Sequence, residues 1–531
     1  MRSYKVSYLL VGIMMLTTSC GEDFLKDELL SSTSVDFLYS SPEGLEIATV
    51  GLYTLNRQLH ENKDWNGVLA LIPDAKADLS IAYEGEISLF GRLFWGASTG
   101  DYGSNTINNI YYDHYYKIVE RCNAIIAGAE KLESMDEEQR NRIIAEAKCM
   151  RANSYFILFR LFNNIYLNTV PTTPENAFDV PQDKTSETEI FALLRSDLDF
   201  AIENLDYVSA NPARWSQGAA RHLRAKVAMW EEDWQEAADQ ADAIIESGFH
   251  SLVANTADVF TGGDLDHSEA LFTLKFLDET IGGGSPHIIN WSVVAQSASA
   301  EGVTQSVDNG GNGIGFMTLN DYAINLLNED PNDTRRDGTY YIFEYLYNDP
   351  TDLPAGKSIG EPLDLYTNSN NQNEWRLYYF RQNPGVLKYL DRNADPTDRN
   401  HYSDIMIYRL AETYLIGAEA HMMLGTTSKA LEYLNAVRTR ANTATVDVID
   451  LQAILDERAR ELAFEGERWY TLKRLGLLGD YLRDHMNNDN FNEFWGAENP
   501  KLLYQDYMEN WPIPSTQLDL MGPNFPQNDG Y

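Results

Sequence analysis

Apolar residues recur at steps of three and four along much of the chain after residue 41, the spacing that lays one apolar stripe along a helix. The pattern predicts helices over residues 42–59, 107–132, 136–161, 186–205 and 213–230. Few segments alternate with period two, so strands are expected to be minor. Ala225 and Ala237 stand twelve apart around a turn at Glu232-Asp233-Trp234, and Ala418 and Ala430 repeat that interval around Leu424-Gly425. A small residue on each helix of a hairpin is what tetratricopeptide-like packing requires. Two such units cannot bury their own faces, so degenerate further units are expected, residues 107–161 among them. Between residues 248 and 401 the helical period fades. Gly262-Gly263, Gly282-Gly283-Gly284 and Gly310-Gly311-Asn312-Gly313-Ile314-Gly315 mark turns there. The expected fold class is mostly α, a tetratricopeptide-like helical-hairpin scaffold with a loop-rich excursion.

The stretch 457–476, ERARELAFEGERWYTLKRLG, carries the most regular stripe. Leu455, Ala459, Leu462, Gly466, Trp469 and Leu472 predict one long helix facing a core. Glycine inside a helix costs about 1 kcal/mol against alanine, so Gly466 predicts a second backbone crossing closely there. Arg458 with Glu461, and Glu465 with Arg468, stand three apart and are expected to pair along the helix surface. Glu461 and Glu465, one turn apart, also suit the acid and base of a glycoside hydrolase. The interleaved arginines argue against that reading, because they would hold ionised a carboxyl that a general acid needs protonated.

Composition narrows the partners. The 531 residues carry 80 acidic and 41 basic side chains, a formal net charge of -39, which repels phosphate backbones and anionic lipid surfaces. Nucleic acid is therefore not an expected partner. With 44% hydrophobic residues the chain can bury a substantial core, and 31 Tyr and 10 Trp leave enough aromatics to line a binding surface. Three cysteines give no disulfide framework: Cys122 and Cys149 fall in helical patterns, where a buried thiol is the default.

Cys20 has a different setting. Arg2 and Lys5 precede a short apolar run over residues 8–16, and small or hydroxyl residues lead into Cys20. The run is about half the ~20 residues of a spanning helix. It reads as a secretory signal whose end resembles a lipobox, with Cys20 lipidated and Glu22-Asp23 following as in lipoproteins sent to the cell exterior. Residues 20–41 read as an arm or linker.

Catalytic motifs are missing. There is no HExxH, GxGxxG or GxxxxGK[ST], so no catalytic residue, metal ligand or cofactor is expected. The acid-rich stretch 330–337 lacks EF-hand spacing and reads as a solvated turn. What remains is a set of loop aromatics among amides and carboxylates: Trp65, Tyr83, Trp95, Tyr102 with Asn105, and Trp291. Aromatic faces suit the CH faces of sugar rings, and nearby amides suit their hydroxyls.

Residues 457–476 resemble the signature of the SusD/RagB family, roughly ERxxELxxEGxRWxDLxRxG. The matches are Glu457, Arg458, Glu461, Leu462, Glu465, Gly466, Arg468, Trp469, Leu472, Arg474 and Gly476, with departures at Tyr470 and Thr471. Ala145-Glu146-Ala147 through Arg151-Ala152, Tyr155-Phe156 and Leu161-Phe162 resembles another family helix, as do Arg409 with Ala411-Glu412 and Ala418-Glu419-Ala420. The ending, Pro512-Ile513-Pro514 through Gln527-Asn528 and Gly530-Tyr531, is similar to the family's PIP and QNxGY. The resemblance implies a signal peptide over 1–19, a lipidated Cys20 with an arm over 20–41, and a single SusD-like helical domain over 42–531. Within that domain it implies an N-terminal part at about 42–248, the excursion at about 249–400, and a C-terminal SusD/RagB part at about 270–531. It further implies an outer-membrane, lipid-anchored, externally facing protein that captures an oligosaccharide or polysaccharide for a SusC-type TonB-dependent transporter. Peptide or glycopeptide cargo, a surface glycoside hydrolase and a purely structural scaffold are the competing readings.

Overall fold

The computed structural model describes residues 35–61, 70–82, 107–277, 285–336, 338–364, 381–486 and 504–531. Its backbone is a series of antiparallel helix pairs. Helix α1 (Pro42–Arg57) is followed by the long pair α2 (Ile107–Lys131) and α3 (Glu137–Phe162), then α4 (Glu187–Asn204), α5 (Gln217–Trp230) and α6 (Trp234–Ile245). The excursion holds the short helices α7 (Ile289–Val293) and α8 (Asp321–Asn328). The chain then returns to helices α9 (Leu410–Met423), α10 (Thr427–Arg440), α11 (Leu451–Leu462), α12 (Arg468–Arg474) and α13 (Leu478–His485).

Local chemistry sets these boundaries. Ser41 precedes Pro42 and accepts the Gly44 N–H, Asp136 accepts from Glu138 and Gln139, and Ser186 forms a reciprocal capping box with Glu189. Each device satisfies N–H groups that a helix start leaves unpaired. The five helices predicted from the apolar period all form, within a few residues of the expected ends. The last residues of the expected arm are helical too, over Val35–Ser40.

Successive helices pack as hairpins, α2 on α3, α4 on α5, α5 on α6 and α9 on α10, and α6 lies against α9. The small residues sit where they touch. Ala225 and Ala237 are fully buried in one cluster with Ala238, Ile416 and Ala420, while Ala418 packs with Tyr433, Leu434 and Leu462, and Ala430 is fully buried on the facing helix. A Cβ on Gly417 would stand 2.7 Å from the Tyr433 ring. The two alanine pairs therefore mark neighbouring hairpins of one continuous packing.

The excursion contributes two-stranded pairs. Strand β1 (Ser80–Ala82) runs antiparallel to β3 (Met317–Leu319), β2 (Ala270–Leu274) to β6 (Ile405–Arg409), and β4 (Tyr341–Ile342) to β5 (Gly385–Val386). Strand β6 runs straight into α9, which tethers the excursion to the helical body. The glycine run 310–315 forms tight turns, with positive φ at Gly310, Gly311 and Gly315. A Cβ on Gly313 would meet the Val294 carbonyl oxygen at 2.4 Å, so the run serves close backbone approach. Cys122 and Cys149 are buried free thiols.

The signature stretch departs from the expected single helix. Helix α11 stops at Leu462, Ala463 turns out at ψ 136°, and Phe464 and Gly466 adopt φ of 64° and 87° before α12 begins. No atom lies within 4 Å of a Cβ placed on Gly466. Glycine is needed for its left-handed backbone and not for a crossing chain.

Candidate functional site

Arg458 does not pair with Glu461, nor Glu465 with Arg468, as their spacing suggests; along the helix only Arg460 meets Glu457, at 3.4 Å. The signature's charges otherwise reach to other elements. Arg458 bonds Glu412 and Thr471, Glu465 takes Arg409 and Lys388, and Arg468 binds Asp78 through two parallel bonds of 2.8 and 2.7 Å. Glu461, fully buried, accepts from Arg335 at 2.9 Å, Arg409 at 2.7 Å, Tyr340 at 3.1 Å and Arg440. Arg409 and Arg440 also share Glu269 at 2.9 and 2.8 Å, while Arg335 holds Glu457 and Asp333, each at 2.7 Å.

This lattice explains the end of α11. The orphan carbonyls of a helix C-terminus need donors. Lys388 Nζ donates to the Glu461 oxygen at 2.7 Å and the Ala463 oxygen at 3.0 Å, and Arg409 Nη2 donates to Glu461 O at 2.8 Å. The turn beyond is pinned by Gly466 N–H donating to Asp74 Oδ2 at 2.9 Å. Burial opposes ionisation of Glu461, yet Arg440, Arg409 and Arg335 together hold its carboxyl well below the usual range. Such a group offers no proton near neutral pH, so the acid–base reading of Glu461 and Glu465 loses its acid. Burial pushes Asp74 up to about 8 and Lys388 down to about 8.

Trp291 is the one sugar-binding candidate among the described residues. Cys20, Trp65, Tyr83, Trp95, Tyr102 and Asn105 all lie outside them. Trp291 sits on α7 in the loop-rich excursion and is 8% exposed. Phe316 meets it edge-on at 5.1 Å, and the guanidinium of exposed Arg399 lies 5.7 Å from its ring centroid. Its carbonyl accepts from Ile314 N–H at 2.7 Å, fixing the ring beside the glycine turns. Arg399 was not foreseen, and a lone arginine in an acidic loop carries no sequence signal.

The acid-rich stretch at 330–337 resolves into structural bonds: Asp330 accepts from Asn332 and Ala444 N–H, and Asp333 holds Arg335. A second acidic group, Asp264, Asp266 and Asp404, brings one oxygen of each within 4.8 Å of the others, close enough to share a cation. Lys275 Nζ occupies that focus, 2.6, 2.5 and 2.7 Å from the three carboxylates. The ammonium supplies there the charge that a cation would bring.

Behind the signature turn lies a chamber of about 120 Å³. The helix pair α2–α3, the end of α1, strand β6 and Glu465-Gly466-Glu467 line it, and it is open on one side. Arg160 lines it, sandwiched between the Tyr470 ring at 3.8 Å and the Phe156 ring at 4.2 Å, with one bond to Glu467 at 3.3 Å. The chamber escaped the sequence reading because α1, α3, β6 and α12 are brought together only by the fold.

A model of the SusD family matches residues 298–531. A SusD-like protein of Formosa agariphila is 26% identical over 97% of both chains, and similarity over the whole length joins the family's C-terminal match to the helical N-terminal half. The C-terminal part of the chain, residues 298–531, belongs to the SusD family. The starch-binding protein SusD of Bacteroides thetaiotaomicron is 32% identical over 159 residues, 29% of this chain and 27% of that one. Among solved structures, a laminarin-binding SusD-like protein superposes with a TM-score of 0.70 at 23% identity, covering 93% of this chain and all of that one. The tetratricopeptide-like fold expected for this chain is the fold observed.

Proposed function

We propose that this protein is a SusD-family surface glycan-binding lipoprotein that captures an oligosaccharide or polysaccharide and passes it to a SusC-type TonB-dependent transporter of the outer membrane. The observation that carries the reading is its likeness to proteins named for binding starch, laminarin and surface glycans. The chemistry agrees with it. The signature carboxylates are locked in structural ion pairs, and loop aromatics are the groups left to meet a ligand. Residues 1–19 are then the signal, Cys20 the lipidated residue, and 42–531 a single binding domain. Among the described residues no helix is long and apolar enough to cross a membrane, in keeping with attachment through lipid alone.

The test is affinity electrophoresis of the chain from residue 21 onward against a panel of polysaccharides, with product analysis of the same mixtures. Retardation by one glycan without cleavage is expected, weakened by Trp95→Ala and Trp291→Ala. Released oligosaccharides would make the protein an enzyme. No retardation by any glycan would turn the reading to peptide cargo or a scaffold.

A further inference from the structure

The chamber behind the signature turn is too polar to be dry. Arg160 is 3% exposed, yet its Nε–H has no hydrogen-bond partner among the described residues, and neither does Nδ1 of His60, which also lines the wall. Unpaired polar atoms of this kind cost roughly 1–3 kcal/mol each when buried, so they mark a place for an occupant. With its guanidinium plane covered on both sides by Tyr470 and Phe156, Arg160 can bond only in that plane.

Charge selects the occupant. Glu465 is matched by Arg409 at 2.6 Å, and Glu467 by Lys226 at 2.8 Å and by Arg160. The neutral form of His60 is favoured by burial, which lowers it to about 4. A cation would meet Arg160, and an anion would meet Glu465 and Glu467. The occupant is therefore uncharged. Tyr111, Tyr115 and Tyr470 give the walls both aromatic faces and hydroxyls, while Leu71, Ile157 and Ile405 give them apolar area. A volume of about 120 Å³ compares with the ~150 Å³ apolar cavity that admits benzene, so about six heavy atoms fit within it, and the end of a four-carbon chain reaches into its open side.

We propose that this chamber is a half-open binding site for a small neutral polyol of three or four carbons, whose hydroxyls meet Arg160 Nε and His60 Nδ1 and whose CH face lies on the tyrosines. The site does not rest on the glycan reading. It also gives Glu465-Gly466-Glu467 a second task, since the turn that ends α11 forms one wall of the chamber.

The probe is erythritol, added to the full mature chain prepared without glycerol. The expected results are electron density for erythritol in the chamber within hydrogen-bond distance of Arg160 Nε, and a saturable rise in Tm in solution. Ile157→Phe, which fills the chamber from α3, is expected to abolish the saturable rise while leaving polysaccharide retardation intact. Trp291→Ala is expected to leave erythritol binding unchanged. Ordered water alone in the soaked wild-type crystal would overturn the proposal. So would a Tm rise that stays linear in erythritol, which reports only exclusion of polyol from the surface, or loss of binding in Trp291→Ala.

Discussion

The helical hairpins and the signature turn are held together by opposite means. Helices α5, α6, α9 and α10 meet through alanines, a glycine and the rings between them, with Ala225, Ala237, Ala418 and Ala430 all fully buried. The turn after α11 is held by ions: Arg335, Arg409, Arg440 and Lys388 converge on Glu269, Glu457, Glu461 and Glu465 from four separate stretches of chain. Dispersion between small residues is forgiving in detail but intolerant of added volume. A buried ion network behaves the other way. Replaced as a whole by apolar residues it can be neutral, while removal of one member strands the rest.

Four changes test that contrast, in falling order of effect. Glu461→Gln leaves three buried guanidinium groups short of a charge and is expected to destabilise by about 3–5 kcal/mol, read as a lower denaturant midpoint. An unchanged midpoint would mean that Glu269 and Glu465 carry the network alone. Gly417→Val in the hairpin region drives a side chain into the Tyr433 ring and is expected to cost about 1–3 kcal/mol. Rescue by Tyr433→Leu would show that the loss is steric. Gly466→Ala meets no neighbouring atom, so its expected loss of about 1–2 kcal/mol is backbone strain alone, and Tyr433→Leu should not relieve it.

The smallest effect is on Asp74, which accepts a bond from the same turn. Its folded pKa of about 8 stands above the ordinary 3.8, so the folded state binds more protons between those values. Its contribution to stability is thus fully present below about pH 3.8 and is lost as pH rises towards 8. Asp74→Asn should change stability at pH 6 by less than about 1 kcal/mol, because it replaces a protonated carboxyl with a neutral amide. It should also remove that part of the downward slope in a pH series of melts. Lys388 acts in a separate window with the opposite sign. Its folded pKa of about 8 lies below 10.5, so the unfolded state binds more protons there and stability rises between pH 8 and 10.5. A wild-type curve with no fall below pH 8 would contradict the burial of a neutral Asp74.

The hairpin scaffold was legible because its cause is local. A helix buries the stripe its own periodicity creates, and caps such as Ser41, Asp136 and Ser186 sit beside the N–H groups they satisfy. The alanine interval of twelve was legible for the same reason, since each pair lies within one hairpin. Residues 457–476 misled where the cause is remote: the stripe from Leu455 to Leu472 is continuous in sequence, but Lys388, Arg409 and Asp74 bind the groups freed by a break at Ala463. No count along the helix could show that Glu461 belongs to Arg335 and Arg440 and not to Arg458. The sequence by itself determined the helical periods, the acidic surface and the family signature, all properties of neighbouring residues. Tertiary structure alone decided which charges meet, where α11 stops, that Arg399 lies over Trp291 and that Arg160 faces a chamber. Each of those depends on partners dozens to hundreds of residues away, which only folding brings within a few ångströms.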